Sequence, residues 1–244
     1  MQNHSIFVGY DPREAEAFGV CRHSLRKHAP NIPVHAIVLD EVKADGLYWR
    51  PMSRRDGRLW DDISQAPCST EFAISRFLTP ILAKSGLALF MDCDMLARDD
   101  LDQLFWYARN DASKAVWCVK HVHEPPPGLK MDGQIQTQYA RKNWSSVMLF
   151  NVDHPANKLL TVDLVNKVPG RDLHRFSWLA DDEIGELSPR WNWLVGHSPE
   201  SIDPAIVHYT LGTPNMEGYE NCAYATDWRK ARAQWLRGTL KAVA

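Results

Sequence analysis

Asp92 and Asp94 stand one residue apart in the run A-L-F-M-D-C-D-M-L, just past the apolar stretch Leu87 to Met91. Residues i and i+2 turn toward one ion when the chain leaves a strand in a bend. Paired carboxylates of this kind suit a hard divalent cation such as Mn²⁺ or Mg²⁺. Cys93 sits between them, and a single thiol does not make a zinc site. Two chemistries use D-x-D. One is a metal bridge to a nucleotide diphosphate. The other is the aspartyl nucleophile of phosphatases, whose D-x-D-x-[TV] loop wants Thr or Val at position 96 and follows a first strand. This chain has Leu96, and the pair comes late. The first chemistry fits better.

Such a pair needs a scaffold that ends strands beside it. S-I-F-V-G-Y-D, from Ser5 to Asp11, reads as a buried first strand with its loop, and Arg13 to His28 as a helix. Val34 to Asp40 reads as a second strand, and residues 41–68 as an irregular excursion. Ile74, Phe77, Leu78, Ile81 and Leu82 share one helix face, from which Ser75 and Arg76 fall away, and Pro80 predicts a kink. Further strands are expected over Leu87–Met91, Ala115–Val122 and Ser145–Val152, a helix over L-A-D-D-E-I-G-E-L, and a late strand in I-V-H-Y-T-L. Alternating strands and helices imply an α/β fold with a mostly parallel sheet. Ligands in such sheets sit beyond the carboxyl ends of the strands, where Asp92 and Asp94 are placed.

The 244 residues suffice for a substantial core, and 45% hydrophobic with 24% charged residues is ordinary for a globular chain. A net charge of −2 offers no case for a nucleic-acid partner. Five cysteines without C-x-x-C spacing argue against a disulfide framework and for a reducing compartment. The first residues lack the pattern of a signal peptide, and no apolar run is long enough to span a bilayer. The expected location is the cytoplasm, with at most a peripheral place on the inner face of the membrane.

The order of I-F-V-G-Y-D-P, S-R-F, F-M-D-C-D-M-L, N-W-S-S-V-M-L-F-N, L-A-D-D-E-I-G-E-L, R-W-N-W-L-V-G and V-H-Y-T-L-G resembles retaining nucleotide-sugar glycosyltransferases of family eight. That family includes glycogenin and bacterial lipopolysaccharide galactosyl- and glucosyltransferases, and the likeness is strongest to a bacterial branch active in polysaccharide biosynthesis. It runs from about residue 5 to residue 215. It implies a GT-A (Rossmann-like) domain over residues 1–222, with a basic, aromatic tail over 223–244. It also implies a divalent metal, Mn²⁺ or Mg²⁺, a UDP-sugar donor, and a glycan or glycolipid acceptor whose hydroxyl receives a hexose.

Carried over residue by residue, the resemblance makes Asp92, Asp94 and His208 the metal ligands, and Mn²⁺ accepts imidazole beside carboxylates more readily than Mg²⁺ does. Arg76 would reach the donor. Gly9, Tyr10, Asp11 and Arg13 fill the loop that cradles uracil and ribose, where Arg13 and Glu14 replace the family's Asn and Tyr. Cys93, Trp144, Ser145, Ser146 and Gly212 complete the donor contacts, the sugar itself being met by Trp144, Ser145 or a shifted Asn143. Asp181 takes the place of a sugar-hydroxyl acceptor, and Asp182 that of the residue nearest the anomeric carbon; acids also favour the first turn of a helix for its dipole alone.

The family's phosphate-gripping Lys is missing after Gly212, and Arg76 or Lys142 would supply its charge. With the altered uracil loop, this leaves a second reading, a non-catalytic sugar-nucleotide or glycan binder of the same fold. His121 and His123 share a strand face but lack a third ligand for a second metal. The tail D-W-R-K-A-R-A-Q-W-L-R-G-T-L-K puts Trp228, Ala231 and Trp235 on one face amid Arg and Lys. That face suits either an anionic membrane surface or packing on the domain.

Overall fold

A computed structural model describes residues 3–121, 141 and 143–243. The expectations for Lys142, for His123 and for the Pro-rich run after His123 lie outside the described residues, as do those for the side chains of Leu240 and Lys241.

In chain order the elements are β1 (His4–Gly9), α1 (Ala15–His28), β2 (Val34–Ile37), α2 (Leu39–Ala44), β3 (Met52–Arg55), β4 (Arg58–Asp61), β5 (Ala66–Pro67), α3 (Thr79–Ala83), β6 (Leu87–Met91), β7 (Met95–Ala97) and α4 (Asp102–Asn110). They continue with β8 (Val116–Cys118), β9 (Val147–Asn151), α5 (Val162–Lys167), α6 (Gly170–His174), β10 (Ile184–Glu186), β11 (Trp193–Leu194), β12 (Ile206–His208) and α7 (Ala225–Val243). No helix among the described residues is long and apolar enough to cross a membrane.

The central sheet runs β10-β8-β9-β6-β1-β2. β9 alone runs against its neighbours; the pairs β10–β8, β6–β1 and β1–β2 are parallel. The mixed, mostly parallel α/β architecture read from the sequence is therefore present. β6 is buried along its whole length, as a strand covered on both faces must be. Asp11 caps the turn into α1 by accepting the Arg13 amide at 2.9 Å, and Pro12 sits at the first position of that turn, where a missing N–H costs nothing.

A second sheet, β11-β12-β7, lies beside the first. β12 runs antiparallel to β7 with His208 opposite Met95, so the backbone amide of Tyr209 reaches the carbonyl of Asp94 at 3.0 Å. A residue more than a hundred positions later is thereby set beside the D-x-D turn. α1 closes this region, its Ser24 hydroxyl accepting the Ala97 amide at 3.0 Å. Val20, Leu96, Trp193, Val207, Tyr209 and Trp228 form a separate apolar cluster there.

Several expectations need correction. The excursion at 41–68 holds α2 and a three-stranded antiparallel sheet, β3-β4-β5. A buried Arg50–Asp61 pair ties it down, with Arg50 Nη1 also donating to the carbonyls of Val165 and Val168 at 2.9 and 2.7 Å. L-A-D-D-E-I-G-E-L is not a helix. It makes one 3₁₀ turn, Asp181–Glu183, and then β10. Pairing of Ile184 and Gly185 with Val116 and Trp117 overrides the local pattern, and a Cβ on Gly185 would come within 2.2 Å of the Trp117 ring.

Ser75 and Arg76 do not point to solvent, because Ser75–Leu78 form a 3₁₀ turn whose residues are all buried. The strands expected at 34–40, 115–122 and 145–152 are shorter than their apolar runs. In the tail, Trp228 is buried and the Trp235 ring lies against Gly19, so this face of α7 packs on the domain.

Candidate active site

The chain leaves β6 at Met91 and re-enters pairing at β7, and the bend between them carries Asp92, Cys93 and Asp94. The two carboxylates stay partly accessible while Cys93 turns inward and its thiol meets Glu14 Oε2 at 2.8 Å. His208 closes the group from β12: each of Asp92, Asp94 and His208 offers one ligand atom, and these atoms lie within 4.8 Å of one another. His208 Nε2 is 3.3 Å from Asp94 Oδ1.

Electrostatics mark the same place. Burial pushes the Asp92 carboxyl up to about 6, against the pull of Arg76 and with the push of Asp94. Burial and the Asp94 carboxylate together push Glu14 up to about 7. Burial works to lower His208, but Asp94 and Asp92 outweigh it, and its pKa is raised. Three acids crowd a pocket that one cation would relieve.

The residues present fit a divalent metal. Asp92 Oδ1 and Asp94 Oδ1 are buried, with Arg76 Nη1 2.8 Å from the first and His208 Nε2 3.3 Å from the second but neither in hydrogen-bond geometry, so both oxygens keep lone pairs for a cation. The donor set, two carboxylates and one imidazole, suits a divalent cation and leaves positions for a ligand's oxygens.

Two hydrogen-bonded arms hold these ligands. Arg76 Nη1 lies 2.8 Å from Asp92 Oδ1 and donates to the Ser145 carbonyl at 2.9 Å, with its guanidinium over the rings of Phe72 and Phe90. Asn192, fully buried, bridges Ser146 and His208: its Nδ2 donates to Ser146 Oγ at 2.9 Å, and His208 Nδ1 lies 2.9 Å from its Oδ1. Ser145 and Ser146 thus come together with the metal group, and the Asp92 amide donates to the Ser146 carbonyl at 3.1 Å. Trp144 stands half-buried at the entry to β9, its Nε1 donating to the His121 carbonyl at 3.0 Å, with Arg141 over its ring.

The first-strand loop is built for itself as much as for a ligand. Asp11 is buried and spends both oxygens on Arg13 and on the Glu71 amide. Gly9 has no room for a side chain, since a Cβ would come within 2.3 Å of the Phe72 ring. Tyr10 is half-buried, edge-on to Phe18. Gly212 is buried under Tyr219, whose ring a Cβ would meet at 2.5 Å.

Asp181 and Asp182 are not brought to this group. They enter β10 from its N-terminal end, whereas Asp92 leaves β6 at its C-terminal end, and the register sets Ile184 level with Val116, Phe150 and Ala88. Both are exposed, and Asp181 pairs with Arg141. The residues beside the site that sequence reasoning missed are Asn192 and His174. The His174 Nδ1 lies 2.7 Å from Ser145 Oγ, and burial together with Arg76 and Arg50 lowers its pKa to about 3. Asn192 stood in the R-W-N-W segment, but no spacing rule tied it to His208.

Comparison with solved structures shows where this fold is used. The chain aligns over 95% of its length with the bifunctional glycosyltransferase WbbM at TM-score 0.60 and 17% identity, and over its full length with the glycosyltransferase GlyE of Streptococcus pneumoniae at 0.61 and 13%. It spans half of WbbM and 64% of GlyE. It aligns with the galactosyltransferase LgtC, solved with donor and acceptor sugar analogues, at TM-score 0.58 and 16% identity, covering 94% of this chain and 95% of that one. These likenesses show the GT-A fold. No family model matches the chain. Protein CDI of Arabidopsis thaliana is 42% identical over 231 residues, 91% of this chain and 83% of that protein. On that identity and coverage, the chain belongs to the family of Protein CDI.

Proposed function

We propose that this protein is a metal-dependent glycosyltransferase that moves a hexose, with retention, from a UDP-sugar to a hydroxyl of a glycan or glycolipid. The observation that carries this reading is the Asp92–Asp94–His208 group at the carboxyl end of β6, in a fold shared with named glycosyltransferases. Asp92, Asp94 and His208 would hold the cation, Mn²⁺ before Mg²⁺. What such a cation supplies when bound is neutralisation of a diphosphate leaving group.

The chain's own residues do the positioning. Arg76 directs Asp92, and the turn at Ser145–Ser146 braces the acids, its carbonyls accepting from Arg76 and the Asp92 amide and its hydroxyls bonded to His174 and Asn192, with Trp144 at its entry. Cys93 contributes through its backbone, since its thiol is turned onto Glu14. Gly9, Tyr10, Asp11 and Arg13 shape the wall by the first strand, and Gly212 lies in the turn after His208, its amide donated to the Tyr209 carbonyl at 3.0 Å.

A Mn²⁺-supplemented screen of sugar nucleotides for hydrolysis or transfer, repeated on Asp94→Ala, tests the reading. Turnover of one donor, lost in the variant, supports it. No turnover and no UDP-dependent thermal shift would sink it. The exposure of Asp181 and Asp182, outside the Asp92–Asp94–His208 group, favours one alternative, a sugar-nucleotide or glycan binder. It predicts a thermal shift with UDP-sugar and Mn²⁺ but no product.

A further inference from the structure

The buried groups around His208 form a chain whose direction can be worked out atom by atom. The Ser146 hydroxyl lies 2.8 Å from the Asn143 carbonyl, which can only accept, so the hydroxyl proton goes there. Ser146 Oγ must then accept from its other partner, and at 2.9 Å that partner is the Asn192 amide nitrogen. With its NH₂ so fixed, Asn192 turns its carbonyl oxygen to His208 Nδ1, 2.9 Å away. A carbonyl oxygen is no partner for a bare ring nitrogen. Nδ1 therefore carries a proton, and the lone pair left for a metal is on Nε2, the nitrogen that faces Asp94. Asn192 is fully buried and His208 nearly so, so no bulk water competes for these contacts.

From this geometry we infer that Asn192 is the positioning residue of the cation site: it holds the Nδ1–H tautomer of His208 and aims Nε2 between Asp92 and Asp94. This rests on the reading of that group as a divalent-cation site. Partners on the far nitrogen of a metal-bound histidine typically change metal affinity ten- to a hundredfold when removed. The chain also runs further than the imidazole. Asn143 has the left-handed φ of 63° and opens the Trp144–Ser146 turn, so the segment expected to meet the donor sugar and the imidazole on the metal share one hydrogen-bonded line.

The test combines free-Mn²⁺ electron paramagnetic resonance titration with nitrogen-15 imidazole spectra of the metal-free and Mg²⁺-loaded protein. The wild type should show a protonated, slowly exchanging Nδ1 on His208 in both states. Asn192→Ala should lose that resonance and bind Mn²⁺ about ten- to a hundredfold more weakly. Asn192→Asp, whose carboxylate still accepts from Nδ1–H, should bind within a few fold of wild type, whereas Asn192→Leu, close in size but without an acceptor, should bind as weakly as Asn192→Ala, a split that a purely packing role would not give. An unprotonated Nδ1 in the wild type overturns the inference whatever the variants do. So does equal Mn²⁺ affinity in wild type and Asn192→Ala, which would leave the cation site itself standing. Failure of the wild type to bind Mn²⁺ at all would overturn the cation site and this inference with it. Binding with the expected variant pattern but no sugar transfer would sink only the catalytic reading.

Discussion

The Arg76 guanidinium sits 2.8 Å from the Asp92 carboxylate with both groups largely out of water. Removing one partner of such a pair strands the other charge, at a typical cost of about 3–5 kcal/mol. Arg76→Ala should therefore melt well below wild type. Mn²⁺ should restore more of the melting temperature in the variant than it adds to the wild type, because a cation takes over the neutralisation of Asp92. Thermal melts with and without Mn²⁺ check this, and equal Mn²⁺ shifts in both proteins would count against a cation at Asp92.

Asp94→Ala and His208→Ala each remove one ligand from the group within 4.8 Å. Both should lose the Mn²⁺-dependent thermal shift and bring turnover to background; the fold should tolerate Asp94→Ala, since Asp94 stays partly accessible, whereas His208→Ala also leaves the buried Asn192 oxygen unpaired and should lower the melting temperature. Circular dichroism with a Mn²⁺ titration separates loss of the site from loss of the fold.

Asp182→Asn is expected to leave Mn²⁺ affinity unchanged, because Asp182 precedes the N-terminal end of β10 whereas Asp92 follows the C-terminal end of β6. Its turnover decides the role expected from the sequence. A kcat at wild-type level agrees with the observed position. A collapse of kcat at constant Mn²⁺ affinity would show that the Asp181–Asp182 segment reaches the donor during the reaction.

His174 supplies a pH dependence of defined sign. Burial, Arg76 and Arg50 lower its folded-state pKa to about 3 from an ordinary value near 6.5. Between those values the unfolded chain binds a proton that the folded chain refuses. The contribution of His174 to stability is fully present above pH 6.5 and is lost as pH falls through that window, by at most about 1.4 kcal/mol per pH unit. Asp92 and Glu14 are shifted the other way, so the difference between wild type and His174→Gln isolates the effect. Urea denaturation from pH 7.5 to 5 should show the advantage of wild type over the variant shrinking below pH 6.5, and a constant difference would refute a His174 held neutral by the fold.

The parts of the fold legible in the sequence were those whose burial is continuous. β1, β6 and β9 read as apolar runs because both faces are covered, and D-x-D stood out because acids directly after such a run are unusual. The sheet β3-β4-β5 was not legible, because the Arg50–Asp61 pair and the carbonyls of Val165 and Val168 hold it, contacts that no local pattern encodes. Arg76 was placed off the apolar face by a helical period of 3.6, but the turn is 3₁₀ and buries every residue. Asp181–Asp182 misled in the opposite way. The letters matched a helix start, while the next residues were committed to pairing with β8. His174 and Asn192 act through neighbours distant in sequence, so only the structure brings them to the site.

Trp228 of α7 packs in the same apolar cluster as Val207 and Leu96, the residues next to His208 on β12 and just past Asp94 on β7. During synthesis the acids emerge early, the histidine long after, and the tryptophan that braces their strands later still. A nascent chain holding all three ligands would still lack the side chain that packs their two strands together. Competence to capture the cation should therefore arise only once Trp228 has left the ribosome and α7 has folded back onto α1.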